Sequence, residues 1–208
     1  MKTKSIALAS CFVMLFSAGY AQIEKGTFRL GGTMGFTSST SSYSYSTPAF
    51  SQPDNKSSTF SFNPNVSYFF AKQLSIGLSL PYTVGKSTIS GVDTKYNSYS
   101  VGPVIRYYFP FNKVAVFPEA QYTFGQQSTK GQMYSPTTGT YSDQTINSKL
   151  NMFRLGVGVT YFLNSSIGVE GLLYYQKSQN DYDNNSSLPN TNTSIVGFNF
   201  GFQIYFNK

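Results

Sequence analysis

The chain has no histidine and no tryptophan, and its one cysteine is Cys11. Histidine is the commonest general base and metal ligand near neutral pH, so its absence leaves only Asp, Glu, Lys and Tyr for such chemistry. Cys11 lies in a stretch with the features of a secretory leader. Lys2 and Lys4 precede the apolar run Ile6 to Phe16, and Gly19 and Ala21 stand three and one positions before a cut ahead of Gln22. That run is too short to cross a bilayer as a helix. We therefore expect residues 1–21 to be a signal peptide and 22–208 to be one exported domain. The exported chain then has no thiol, which excludes a disulfide and a cysteine-ligated metal.

Charge is also scarce. Charged residues make up 11% of the chain, against about a quarter in an average soluble domain. Loss of Lys2 and Lys4 takes the formal charge from +7 to +5. That balance is basic, but no basic run is dense enough to track nucleic acid, and no nucleic-acid partner is expected. No segment beyond the leader has helical periodicity. What fills the space is 19 Phe, 17 Tyr and 18 Gly, with abundant Ser, Thr and Asn.

These residues alternate. Phe198, Phe200, Phe202, Ile204 and Phe206 occupy every second position, with Asn199, Gly201, Gln203 and Tyr205 between them. Successive strand side chains point to opposite faces, so this segment has one apolar face and one polar or small face. The same period of two runs through Phe28–Phe36, Phe60–Tyr68, Leu74–Val84, Val101–Tyr107, Val114–Phe124, Phe153–Tyr161 and Ile167–Tyr175. Eight strands are predicted. Links 70–73, 109–113 and 163–166 are short, whereas 38–58, 85–97, 126–148 and 177–193 are long and polar. Strict alternation of short and long ends is the asymmetry of an outer-membrane barrel, with tight periplasmic turns, long external loops and both termini inside. Tyr68-Phe69, Tyr108-Phe109, Tyr161-Phe162 and Tyr205-Phe206 form a weak repeat at the short-turn end. Tyr82, Tyr122, Phe124 and Tyr175 would supply the opposite aromatic girdle.

A soluble barrel also has one apolar and one polar face, but it turns the apolar face inward and covers the other with Lys and Glu. Here the second face is Gly, Ser, Thr, Asn and Gln, and the lysines are expected in loops, turns and termini. The reading is therefore an all-β, eight-stranded antiparallel up-and-down transmembrane β-barrel.

On this pattern the chain resembles the small eight-stranded outer-membrane proteins of the OmpA-transmembrane and OmpX type, in the glycine- and aromatic-rich form of the Bacteroidetes outer-membrane beta-barrel family. The resemblance implies residence in the outer membrane of a Gram-negative bacterium, with periplasmic termini and extracellular loops. It also implies that Phe198, Phe200, Phe202, Ile204 and Phe206 form the terminal signal read by the barrel-assembly machinery, although Asn207 and Lys208 follow the final aromatic. Outer-membrane lipids and lipopolysaccharide are the expected surroundings, a surface ligand the expected partner, and a monomer the expected state.

Arg29, Arg106 and Arg154 are the only arginines, and they share lumen parity with Glu119 and Glu170. A narrow barrel fills its interior with side chains, and charges withdrawn from water must be paired. Arg154 with Glu170 and Arg106 with Glu119 lie on neighbouring strands and are expected to pair, forming a lumen ionic network. An acid/base reading of the two carboxylates lacks a nucleophile with an adjacent base, so no catalytic residue, metal or cofactor is expected. Asp93, Asp143, Asp181 and Asp183 match no known cation loop. The loops carry Tyr43, Tyr45, Tyr96, Tyr134 and Tyr141, an adaptable contact set, with Lys56, Lys86, Lys95 and Lys130 near the level of lipopolysaccharide phosphates. The expected function is structural or surface-interacting rather than enzymatic. A small pore is the alternative, opposed by the inward Phe117, Leu172 and Tyr174.

Overall fold

The computed structural model describes residues 23–41, 55–89, 92–135, 140–182 and 190–206. The leader expected over 1–21, the loop residues Tyr43, Tyr45 and Asp183, and the terminal Asn207 and Lys208 lie outside the described residues. Ten strand segments follow in order: β1 (Phe28–Ser41), β2 (Asn55–Ala71), β3 (Leu74–Ser79), β4 (Tyr82–Ile89), β5 (Val92–Tyr107), β6 (Phe109–Phe111), β7 (Val114–Ser135), β8 (Thr140–Phe162), β9 (Ile167–Asp181) and β10 (Thr191–Phe206).

Two of the breaks are local. β3 and β4 both pair with β2 and β5. The register passes without slip from Ser79↔Asn65 to Tyr82↔Phe62 on one side, and from Ser79↔Gly102 to Tyr82↔Tyr99 on the other. Leu80-Pro81 only interrupts one stave, because Pro81 has no N–H to give to a ladder. Tyr108 likewise separates β5 from β6, which pair with β7 in one register, Arg106↔Glu119 continuing to Phe109↔Val116. Merging these breaks leaves eight staves, each antiparallel to its neighbours, and β10 returns to β1 to close the ring.

Alternation decides which residues meet lipid. Outward positions stay open to the surroundings, with Leu78 54%, Val157 58% and Leu173 58% exposed, while inward Ser79, Thr160 and Leu172 are fully buried. An apolar belt of this extent is tolerated only against another apolar medium. The Tyr-Phe repeat now has a geometric meaning. Adjacent residues face opposite ways, so Phe69, Tyr108, Phe162 and Tyr205 turn inward while Tyr68, Phe109, Tyr161 and Phe206 turn outward. The outward set is the girdle. The inward set joins Ile23, Ala115 and Phe117 in an aromatic plug across the short-turn end of the lumen, with ring separations of 5.0 Å (Tyr108–Phe117), 5.2 Å (Phe162–Tyr205) and 5.4 Å (Phe69–Tyr108). Gly158 makes room for it, since a Cβ there would stand 2.3 Å from Phe117 Cζ.

The strands run further than their hydrophobic period predicts. β7 and β8 pair from Val114↔Tyr161 to Ser135↔Thr140, and β4 and β5 pair up to Ile89↔Val92. Much of the long links expected over 85–97 and 126–148 is therefore paired hairpin, and Lys86, Lys95 and Lys130 sit in strands. The reason is that Thr, Tyr and Ser pair well across strands whether or not one face is apolar. Hydrophobic periodicity stops where the lipid stops, but the ladder does not.

Candidate functional site

The lumen is layered. Above the aromatic plug lies a charged layer centred on Arg106, which is 2% exposed. Arg106 Nε donates to Glu119 Oε2 at 2.6 Å, and its Nη1 donates to both oxygens of Glu170 at 3.0 and 2.9 Å. Glu170 also accepts from Thr160 Oγ1 at 3.0 Å and from Gln203 Nε2 at 2.9 Å. The guanidinium lies 4.4 Å over the Phe117 ring, which ties this layer to the plug below. Arg29 joins by way of Tyr108, whose hydroxyl accepts from both Arg29 and Arg106, and it donates further to Asn65 at 3.1 Å and Ser67 at 2.8 Å.

The expected pairing of Arg106 with Glu119 is present, but that of Arg154 with Glu170 is not. Glu170 is bound by Arg106 across the lumen, and Arg154 turns to Gln176, donating to its Oε1 from Nε at 3.1 Å and Nη2 at 2.7 Å. The register explains this. Arg154 lies directly opposite Gln176, whereas Glu170 opposes Thr160, six residues along β8. A short turn brings strands together but does not bring every pair of positions level. Gln203, Thr160, Tyr108 and Gln176 complete the network and were not among the predicted site residues. Inward parity marks each of them, but only the register shows which share a level.

Above Arg154 the lumen widens into an outward vestibule of about 500 Å³, lined largely by hydroxyls and amides, including Ser61, Asn63, Thr83, Ser98, Ser178 and Thr193. Tyr96, expected on the loop surface, instead turns into this vestibule, where its hydroxyl lies 2.6 Å from Thr59 Oγ1 and its ring fills the space left by Gly85. The single hydrogen of Gly85 is what admits the ring, since a Cβ would stand 2.2 Å from Tyr96 Cζ.

The outer wall carries a second feature. Lys86 pairs directly with Lys95, and Lys95 with Lys130, so three lysines form one row across β4, β5 and β7. Like charges directly opposite one another in a sheet are unfavourable unless something anionic relieves them. Asp93 does so in part, 2.7 Å from Lys86 Nζ. That hydrogen bond, followed by one from Thr88, holds the Asp93 carboxyl below its ordinary value. The row stands four residues beyond the girdle pair Tyr82↔Tyr99, on the order of 10 Å higher at strand rise and barrel tilt. A groove of about 470 Å³ lies along it, with Phe36, Phe60 and Val84 at its apolar side. Lys56 is exposed at the outer part of β2, one rung above this row where it faces Thr88, and Tyr134 opposes Tyr141 near the tip of the β7–β8 hairpin. Phe198, Phe200, Phe202, Ile204 and Phe206 all face outward, 62, 50, 55, 41 and 51% exposed, on the strand that closes the ring.

The profile of the family described as outer membrane protein beta-barrel domain matches residues 7–202. Among solved structures, the chain is similar to Neisserial surface protein A at 17% identity, covering 88% of this chain and 100% of that one with a TM-score of 0.47. It is similar to a major outer membrane protein of Thermus thermophilus at 13% identity, covering 87% and 99% with a TM-score of 0.49. It is also similar to Ail, the attachment invasion locus protein of Yersinia pestis, crystallised with the heparin analogue sucrose octasulfate, at 15% identity, covering 88% and 99% with a TM-score of 0.40. No curated protein matches the chain.

Proposed function

The chain belongs to the outer membrane protein beta-barrel domain family, and from that premise we propose that it is a non-enzymatic, monomeric surface-interaction protein, delivered by the barrel-assembly machinery after removal of residues 1–21. Its termini and short turns face the periplasm, and its long hairpins face the exterior. The observation that carries this reading is the reach of those hairpins. A strand crosses the hydrocarbon with about 9–11 residues, whereas β7 runs from Val114 to Ser135 and β8 from Thr140 to Phe162. About half of each strand therefore stands beyond the lipid, held rigid by cross-strand pairing. The lysine row lies on this raised wall, at the height of outer-leaflet phosphates. Its partner is an anionic glycolipid or a surface ligand with the same charge.

The test uses two variants of the mature protein in nanodiscs. Replacing residues 132–143 by a two-residue Asn-Gly turn removes only rungs above Gly131, the last β7 residue paired to β5, so the barrel should fold and remain heat-modifiable on a gel. The triple change Lys86→Gln, Lys95→Gln, Lys130→Gln should lose salt-sensitive binding of lipopolysaccharide, because phosphate contacts of this kind are screened at high ionic strength. Unchanged binding by both variants would leave a purely structural role as the better reading.

A further inference from the structure

Two observations in different parts of the wall point to one site. The first is Arg154 at the floor of the vestibule. It is 4% exposed, and its Nη1 meets no acceptor among the described residues. Both lumen carboxylates accept from Arg106, Glu119 through Oε2 alone, and among the described residues the only hydrogen-bond acceptor of Arg154 is the neutral Gln176 amide. Its guanidinium stacks 4.3 Å over the Tyr174 ring, which fixes its plane but supplies no counter-charge. A buried cation hydrogen-bonded only to a neutral amide, and reached by the Glu119 carboxylate only through space, is costly, and it is an arrangement that an incoming anion relieves.

The second is the seam between β1 and β10. Their ladder begins at Phe28↔Phe206 and stops at Met34↔Phe200, although β1 continues to Ser41 and β10 starts at Thr191. Each strand remains paired on its other side, β1 to β2 as far as Ser41↔Asn55 and β10 to β9 as far as Thr191↔Asn180. Above Gly35 and Asn199 no ladder joins the two strands, and among the described residues the barrel wall is open there. The opening starts inside the apolar belt, and its rims carry Val196, Phe36 and Phe198 at 74, 69 and 62% exposure, the highest of the exposed large apolar side chains. A strand edge without a ladder partner at this depth is expensive in lipid.

The two features are level with each other. Arg154 opposes Gln176, and Gln176 opposes Ile195 on the seam edge of β10. One rung lower, Tyr174 opposes Gly197, where the lack of a side chain lets the Tyr174 hydroxyl reach the β10 backbone. Thr37 on one side of the seam and Ile195, Val196 and Gly197 on the other all line the vestibule that holds Arg154. From Arg154 to the opening is two strand spacings, about 10 Å, the length of a short alkyl chain.

We propose that the vestibule binds a single-chain anionic amphiphile from the outer leaflet, its carboxylate or phosphate head on Arg154 Nη1 and its chain leaving through the β1–β10 seam over Val196, Phe36 and Phe198. Arg154 is then the specificity-determining residue for the head. The hydroxyls and amides of the vestibule wall hydrate the remaining head oxygens, and the chain covers the open rims. This site shares Phe36 with the groove beside the lysine row, but its head contact, Arg154, is not in that row, so it does not depend on the surface-interaction reading.

The mature protein in phosphatidylcholine nanodiscs, with cis-parinarate as the fluorescent probe, tests the proposal. Decanoate and decyl phosphate should both displace the probe, decanol should do so at least tenfold more weakly, and acetate and inorganic phosphate should not compete. Arg154→Gln should weaken parinarate binding at least tenfold while the protein stays heat-modifiable, and Arg154→Lys should recover part of it. Glu119→Gln separates an internal counter-charge from an external one. Glu119 interacts electrostatically with Arg154 and its Oε1 is also unpartnered, so its neutralisation should leave binding intact or tighten it. A nitroxide-tailed fatty acid should broaden the amide resonances of Val196 and Phe36 more than that of Phe124, which faces outward on β7 across the ring. Equal competition by decanol would overturn the anion site, as would unaltered binding by Arg154→Gln. Competition by inorganic phosphate as strong as that of decyl phosphate, or uniform broadening around the barrel, would overturn the seam.

Discussion

Arg106 holds two carboxylates at once, and that decides what single changes in the lumen do. Breaking a buried pair strands an uncompensated charge, so Arg106→Leu should cost about 3–5 kcal/mol, less where water reaches the layer. A double-mutant cycle between Arg106 and Glu170 should show about 1–3 kcal/mol of coupling, because they share direct hydrogen bonds. The cycle between Arg154 and Glu170 should be additive within about 0.5 kcal/mol, since each has other partners. Urea unfolding in detergent or lipid reads both cycles, and strong coupling in the second would restore the pairing that the register denies. At Asp93 the expected effect is a pH dependence. Its carboxyl is held below the ordinary 3.8 by Lys86 and Thr88, so the folded hairpin favours the ionised form. The resulting support is complete above the ordinary value and is lost as pH falls through the lower folded value. Amide exchange at Thr88 and Asp93 should rise on acidification below that range while the membrane-spanning rungs stay protected.

A strand of this barrel is two surfaces with different rules. Leu78 on β3 faces lipid and is 54% exposed, and Ser79 beside it is fully buried and donates to Asn63. Leu78→Arg near the middle of the belt should cost about 2–4 kcal/mol, the usual penalty for a cation at the bilayer midplane. Ser79→Thr adds a methyl group to a closed interior rather than to a water-filled channel. It should cost about 1 kcal/mol or more through overpacking, read as a shift in the same unfolding midpoint. The hairpins follow a third rule. Residues 132–143 can be removed because nothing but their own pair depends on them. A deletion reaching down to residue 127 would strip Ser98, Asn97, Tyr96, Lys95 and Thr94 of the β7 partners they pair with, and it should destabilise β5 as well.

At the scale of the molecule, the question is whether the lumen conducts. The aromatic plug, with Phe69, Tyr108 and Phe117 each fully buried, closes the short-turn end, and the Arg106 layer closes the level above it. Among the described residues the vestibule therefore opens outward but does not continue through the barrel. Planar bilayers should record no steady, large single-channel current, and such a current would return the small-pore reading to first place. The barrel should also resist unfolding in detergent until heated, so that boiled and unboiled samples migrate differently. A soluble species that needs no detergent would contradict the apolar belt.

Membership of the outer-membrane class was legible in the sequence because it follows from a local rule. Period-two alternation from Leu74 to Val84 or from Phe198 to Phe206 commits one face of each strand to an apolar medium, whatever its neighbours are. The scarcity of charge and the alternation of short and long links add the orientation of that face and the order of the strands. The parity of Arg29, Arg106, Arg154, Glu119 and Glu170 was equally readable, and all five are buried inside. Their partners were not, because pairing depends on register, and register is a relation between strands that no single strand encodes. The inward turn of Tyr96, the three lysines brought into one row and the early parting of β1 from β10 have the same origin. Each depends on which residues of separate strands reach the same height around a closed ring, and only the folded barrel sets that height.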